Sequence, residues 1–288
     1  MGERVASGVI GAWLVGGLAL TAGLGLAACG TSVPIHAPVP THELTIDRGI
    51  AYGRAPLQRL DVYKPYRLGE PSPVVLFVHG DDRPGGSRGD YLFVAEALVS
   101  RGFVVIIPDY RSPEGVGRSA AVNDIATALG WVGDRIHLHG GRPDGIVVVG
   151  HGAGANLAAR AVLDRRRLLD AGIDPEFVRG FIALEGSRGS IGFETPDPAG
   201  LHAAVDTSGP AMMLVAARGD TGIPAGMQAL AEAASEAGVP VETMTLPHGG
   251  PPGVITRLAP PYRNEADLLD AIAEFVRVHT HPDSVRRR

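Results

Sequence analysis

The chain has a single cysteine, Cys29, in 288 residues. It therefore builds no internal disulfide, no cysteine-rich zinc site and no iron–sulfur cluster of its own. Lys64 is the only lysine among 26 basic residues, while Gly (40) and Pro (23) are abundant. That pattern reads as a GC-rich coding bias and carries no chemistry. Aromatic residues make up 5% of the chain, which gives no stacking platform for sugars or bases. An excess of positive charge is missing too. A formal charge of −5 and a pI near 6.0 exclude phosphate-backbone binding as the main function, so no nucleic-acid partner is expected. Hydrophobic residues reach 45%, enough for the core of one large domain and too many for a disordered or collagen-like chain.

From Val5 to Ala28 the chain carries no charge and closes on Leu26-Ala27-Ala28-Cys29. On length alone the run can cross a bilayer. Small residues ahead of a cysteine mark the place where a secretory signal is cut, and the segment resembles a bacterial lipoprotein lipobox, whose cysteine takes a diacylglyceryl thioether. Cleavage before Cys29 would leave 288 − 28 = 260 residues. The acyl chains, at ~0.8 kcal/mol per buried CH2, would then hold the protein on the outer face of the cell membrane. The alternative is an uncleaved membrane anchor with an incidental Cys29. Both readings place the body outside the cytoplasm, with the membrane as a partner. Residues 1–28 are thus expected to be a signal peptide and 29–42 a Pro-rich tether. Residues 281–288, ending in Arg286-Arg287-Arg288, read as a solvated tail.

From about residue 43 to 280, short β-branched runs alternate with helical patterns, which predicts one domain with a mostly parallel sheet of about eight strands covered by helices on both faces. Strands are expected at Glu43–Asp47, Arg59–Tyr63, Val74–His79, Val104–Pro108, Ile146–Gly150, Phe181–Glu185, Met212–Ala217 and Val241–Leu246. Most from Val74 onward are nearly continuous apolar runs, as in strands buried on both sides. Helices are expected at Tyr91–Arg101, Ala120–Val132, Ala153–Arg165, Ala225–Ala237 and Glu265–Val278, with Gly102 and Gly238 as C-caps. Residues 186–204, rich in Gly, Pro, Ser and Asp, break the pattern and read as a lid over the carboxyl ends of the strands.

The run Ile146-Val147-Val148-Val149 enters Gly150-His151-Gly152-Ala153-Gly154 and then a helical stretch. Strand, glycine-rich bend and helix are the context of a nucleophile elbow. Around it lie Leu60-Asp61-Val62-Tyr63-Lys64-Pro65, Leu76-Phe77-Val78-His79-Gly80, Val105-Ile106-Ile107-Pro108-Asp109-Tyr110-Arg111 and Ile136-His137-Leu138-His139-Gly140. In this order the segments resemble the α/β-hydrolase superfamily, in its branch of carboxylesterases, hormone-sensitive-lipase-like esterases and kynurenine-formamidase-like enzymes. The likeness covers roughly residues 58 to 278.

Set against the family's triad, the chain departs in three places. The serine position is Gly152, so no hydroxyl stands at the bend. Asp220 keeps the acid position after the seventh strand, whereas Pro251 occupies the histidine position, with His248 three residues early as a displaced base. The glycines that resemblance places after His79-Gly80 are Asp81 and Asp82. A carboxylate ~4 Å from an oxyanion opposes it by about 4 kcal/mol at an effective dielectric near 20, about three orders of magnitude in rate. Loss of the serine alone costs on the order of 10⁶ in kcat in a well-studied serine protease, and triad losses do not add. The expectation is a pseudoenzyme: a former active-site cleft, lined by His79, Gly80, Asp81, Asp82, His151 and Ala153, that binds a small or acyl ligand or a protein partner. The alternative is a carboxylic-ester or amide hydrolase with a rearranged site, His248 activating water and Asp220 orienting it. A purely structural envelope protein is a third class.

Other groups carry weaker signals. Ser187 and Ser190 lie in a Gly-rich loop and read as turn residues. His137 and His139 have an H-x-H spacing, yet no third ligand accompanies them. Asp81, Asp82 and Asp90 read as a solvated acidic loop. No metal and no cofactor are expected. Resemblance makes Asp109 and Arg111 framework residues, and His79 and Asn156 structural ones.

Overall fold

The structure is a computed structural model, and it describes residues 41, 43–67, 69–80, 87–111, 117–184, 201, 204–217, 223–247, 253–263 and 267–281. The chain divides into two compact units, Met1–Val33 and Pro34–Arg288. The first lies wholly outside the described residues, as do Cys29 and the expected tether up to Pro40. Among the described residues no helix is long and apolar enough to cross a membrane.

Eight strands form one sheet: β1 Leu44–Ala51, β2 Arg59–Pro65, β3 Ser72–Val78, β4 Val104–Pro108, β5 Gly141–His151, β6 Val178–Leu184, β7 Ala211–Ala217 and β8 Val241–Leu246. Their spatial order is β1-β2-β4-β3-β5-β6-β7-β8. From β4 to β8 all neighbours pair in parallel, and β2 runs against both β1 and β4. Every expected strand is present. Only β1, β5 and β6 run several residues past the expected ends, because backbone pairing extends into segments without an apolar signature, such as Gly141-Arg142-Pro143.

The described helices are α1 Leu92–Val99, α2 Arg118–Arg135, α3 Ala153–Val162, α4 Arg165–Asp170, α5 Ala225–Glu236 and α6 Leu268–Thr280. Alternation along each strand sends neighbouring side chains to opposite faces. Val74, Leu76, Val78, Ile146 and Val148 therefore pack in the core under α2, α3 and α5. Val75, Phe77, Val147 and Val149 pack in the core under α1 and α6. Both faces are apolar, which is why the central strands show no polar alternation.

The one helix expected over Ala153–Arg165 is two. Asp164 ends the apolar run, and its carboxylate accepts from the Arg167 backbone N–H at 3.0 Å, capping α4. A short polar stretch with a new cap starts a second helix where periodicity alone continued the first.

Candidate active site

Because β3 to β7 are parallel, their carboxyl ends share one edge, the place where ligands bind in open α/β sheets. The chain leaves β5 at His151, bends at Gly152 and enters α3 at Ala153. Gly152 has φ 57° and ψ −127°, a combination that glycine adopts freely and that strains any other residue. The bend is held by the Gly152 N–H donating to the Leu184 carbonyl at 3.0 Å and by the Ala155 N–H donating to the Gly152 carbonyl at 3.1 Å. The flanking glycines are there for space. A Cβ on Gly150 would lie 2.4 Å from Ala155 Cα, and one on Gly154 would lie 2.2 Å from the His79 carbonyl oxygen and 2.5 Å from that of Val78. The strand–bend–helix scaffold of an elbow is thus built in full, and the side-chain oxygen at its centre is absent.

Ala153 opens α3, so its N–H belongs to the first turn, whose amides have no acceptor within the helix. This is the elbow amide that faces an oxyanion in hydrolases of this fold. Next to it His151 is 5% exposed, and its Nδ1 has no hydrogen-bond partner. Burial, helped by the neighbouring His79 imidazole, pushes its pKa down to about 4, so the ring is neutral at pH 7.

His79, at the carboxyl end of β3, lies between two tyrosine rings, with centroids 4.7 Å from Tyr110 and 5.4 Å from Tyr91. The Tyr110 hydroxyl donates to the His79 carbonyl at 2.6 Å, and Tyr91 also faces His151 at 6.4 Å. The His79 ring is therefore packed among aromatic rings, and the Gly80 carbonyl receives a bond from the Tyr91 hydroxyl at 3.4 Å. His79 Nε2 stands 3.9 Å from Asp109 Oδ1.

Asp109 and Arg111 brace this edge. Asp109 accepts from the Arg88 backbone N–H at 2.7 Å and from the Arg88 guanidinium, whose Nε also reaches the buried Asp61 at 2.7 Å. Arg111 forms a fork onto Asp124, with Nε at 2.9 Å and Nη2 at 2.7 Å, and Gln58 completes that buried carboxylate at 2.7 Å. Burial, then the charges of Asp124 and Asp109, push the Tyr52 phenol up, so it remains a donor to the Asp109 carbonyl. Sequence reasoning missed Arg88, Asp61 and Tyr91. Asp61 had a readable signal, an acid inside the apolar run Leu60–Tyr63, whereas the pairing of Arg88 with two carboxylates from different strands had none.

The remaining candidates fall apart or fall outside. His139 Nδ1 pairs with Asp47 at 2.7 Å, and Lys64 joins the same carboxylate at 2.9 Å. Those two bonds hold the Asp47 pKa low, Lys64 foremost. Asp90 accepts from the Ser87 N–H at 2.9 Å, and Asn156 from Arg160 Nε at 3.0 Å. Among the described residues no three metal-ligating side chains cluster. Asp81, Asp82, Ser187, Ser190, Asp220, His248 and Pro251 lie outside the described residues, as does the expected lid apart from Leu201 and Ala204.

Comparison with known proteins agrees with this geometry. The chain is 36% identical over 119 residues to a probable isoprenylcysteine alpha-carbonyl methylesterase, ICME, of Oryza sativa subsp. japonica, covering 41% of this chain and 28% of that protein. It is 33% identical over 118 residues to the esterase LipC of Mycobacterium tuberculosis, covering 40% and 29%. The chain thus spans less than a third of the length of these relatives. In structure it resembles the carboxylesterase EstE1 from a metagenomic library, with a TM-score of 0.65 at 20% identity over 85% of this chain and 92% of that one. It also resembles esterase B of Lactobacillus rhamnosis, with a TM-score of 0.64 at 19% identity over 84% and 89%. The fold is that of the α/β-hydrolases. The BD-FAE family model matches residues 60–233, from β2 through the elbow into α5, and with that span and this fold the chain belongs to the BD-FAE family of esterase-type α/β-hydrolases.

Proposed function

We propose that the chain receives a carboxylic ester or a related acyl compound at the carboxyl edge of the sheet, and that it does so without forming an acyl-enzyme. One observation carries this reading: the elbow is complete in its backbone, with Gly150 and Gly154 tightly packed, yet Gly152 offers no nucleophilic oxygen. The first-turn amide at Ala153 supplies a donor for a carbonyl oxygen. The buried neutral imidazole of His151, whose Nδ1 has no hydrogen-bond partner, supplies a second polar group in the neighbouring residue. Asp81 and Asp82, where the resemblance calls for glycines, weigh against the build-up of negative charge that acyl transfer requires. The anchoring is part of the same proposal. The uncharged run ending in Cys29 supports a protein held by lipid on the outer face of the membrane, with a small molecule or another protein as its partner.

A second reading is hydrolysis of an ester or amide by a rearranged site, and the comparisons favour it over pure binding, because the relatives are named as esterases. In that case His248 takes a proton from water, the resulting hydroxide attacks the carbonyl carbon, and the C–O or C–N bond breaks as the alcohol or amine leaves with that proton. Asp220 orients the imidazole. Neutral water is a weaker nucleophile than an activated serine, which is what this reading has to overcome.

The test is turnover of p-nitrophenyl butyrate by the full chain, together with labelling by a fluorophosphonate and calorimetric binding of a long-chain methyl ketone, an ester isostere that cannot be hydrolysed. Binding by the ketone, with background turnover and no stoichiometric label, is the expected result. Turnover at an enzyme-like rate that disappears in His248→Ala would replace the first reading by the second. Absence of both turnover and ketone binding would remove both.

A further inference from the structure

We propose that the guanidinium of Arg257 is a carboxylate site, so that the acyl compound received at the carboxyl edge of the sheet is one with a free carboxylate, such as the half-ester of a dicarboxylic acid. This rests on the proposed reading of that edge and names the class of its ligand. Arg257 is the third residue of a 3₁₀ turn, Ile255–Leu258, in the segment that follows β8. It is 5% exposed. Its Nη2 donates to the carbonyl of Pro247, just past the end of β8, at 2.9 Å. Its Nε is buried with no hydrogen-bond partner, and among the described residues no carboxylate pairs with the group. Arg88, Arg111 and Arg263 are all more exposed than Arg257, yet each is matched by an acid.

A buried lysine or histidine can shed its proton, whereas a guanidinium does not. Taking it out of water is expensive, and one bond to a neutral carbonyl offsets only part of that cost. An anion from outside the fold completes the arrangement. Arg263, on the same segment, is spent on Glu96, with Nη1 at 3.1 Å, so the site has a single positive charge to offer. One planar fork of N–H groups matches the one charge and two oxygens of a carboxylate, whereas a phosphate carries more charge than it can balance.

The turn lies on the face of the sheet to which the elbow's histidine belongs. Val254, Ile255 and Leu258 pack in one core with Val147, Val149 and Leu184, and the turn packs against both α1 and α6. His151 is two residues past Val149 in β5 and so projects to that same face. Tyr91, which packs against this core, faces His151 at 6.4 Å. Pro247 follows the carboxyl end of β8, on the edge where β5 gives way to the elbow. In the strand order β5 and β8 stand three spacings apart, about 14 Å, which sets the scale of a ligand that joins an ester at the Ala153 amide to a carboxylate at Arg257.

The test is calorimetric titration of the full chain in neutral detergent at pH 7 with 4-oxopentanoate, 7-oxooctanoate and 10-oxoundecanoate. Each is set beside the 2-alkanone of equal chain length, which has the ketone without the charge, and hexanoate supplies the charge without the ketone. One keto acid of the series is expected to bind about tenfold more tightly than its alkanone, as one charge-assisted hydrogen bond implies. Arg257→Met removes that preference and leaves alkanone binding as it was, and Arg257→Lys keeps part of it. The Tm of Arg257→Met is no lower than that of the parent, because the substitution removes a buried unpaired charge and keeps the apolar stem. Equal affinity for keto acids and alkanones, or a preference that survives in Arg257→Met, would overturn the proposal. So would a Tm lowered by more than about 4 °C in that variant, which would reveal an acid partner within the free protein. If no alkanone binds, the reading of the elbow falls by itself, while hexanoate binding that Arg257→Met abolishes still supports the carboxylate site. Failure of hexanoate and of every keto acid to bind at millimolar concentration removes that site.

Discussion

Replacing Gly152 by alanine and by serine will destabilise the protein by the same amount, because the cost arises at Cβ and not at the hydroxyl. At φ 57° and ψ −127° an L side chain is held in a sparsely populated backbone state that costs on the order of 1–3 kcal/mol. The bend cannot relax toward a common conformation, since Gly150 and Gly154 lock the strand and the helix on either side at contacts where even a methyl group has no room. For a domain of this size each kcal/mol lowers Tm by about 2–4 °C, so both variants should melt about 2–12 °C below the parent. Urea denaturation followed by circular dichroism and by the fluorescence of the buried Trp131 reads the loss as a lower midpoint at unchanged slope. Unchanged midpoints in both variants, or a loss confined to one of them, would refute the strain argument. The serine variant has a second use. It puts an oxygen at the elbow, and if Pro251 takes the place of the base, as the resemblance to the family implies, it is expected to give no burst of p-nitrophenol from p-nitrophenyl butyrate. A stoichiometric burst would show a base and an oxyanion site in working position, contrary to the proposed loss of acyl transfer.

Two further outcomes follow from buried charge. The His151 pKa is about 4 in the fold and about 6.5 when unfolded, so the unfolded chain binds the proton more tightly. Its contribution is complete above pH 6.5 and is lost as pH falls toward 4, by at most about 3 kcal/mol. The difference in unfolding free energy between the parent and His151→Gln, from urea titrations at pH 7, 5.5 and 4, should shift against the parent toward acid by up to that amount, and parallel profiles would contradict it. Arg88→Met leaves Asp61 and Asp109 without their shared guanidinium and should cost about 3–5 kcal/mol. Adding Asp61→Asn should restore part of that loss, and no restoration would show that Arg88 acts through packing alone.

Much of the scaffold is legible in the sequence. Apolar runs such as Val74–Val78 and Val104–Pro108 are strands buried on both faces, a state with its own composition. The elbow was readable because its three glycines have steric duties that leave a pattern. The Arg88 bridge was not, since it joins β2 to the end of β4 across 27 and 21 residues of chain, and no local preference records such a pairing.

From the amino-acid order alone came the fold and the missing side-chain oxygen at residue 152. Each depends on residue identity and on neighbours within a few positions: a glycine has no hydroxyl in any fold, and periodicity reports which faces are buried. The tertiary structure alone decided that His151 is buried with no hydrogen-bond partner at Nδ1, and that Asp109 is tied through Arg88 to Asp61. Those are facts of proximity and desolvation, which arise only when distant segments close out the water between them.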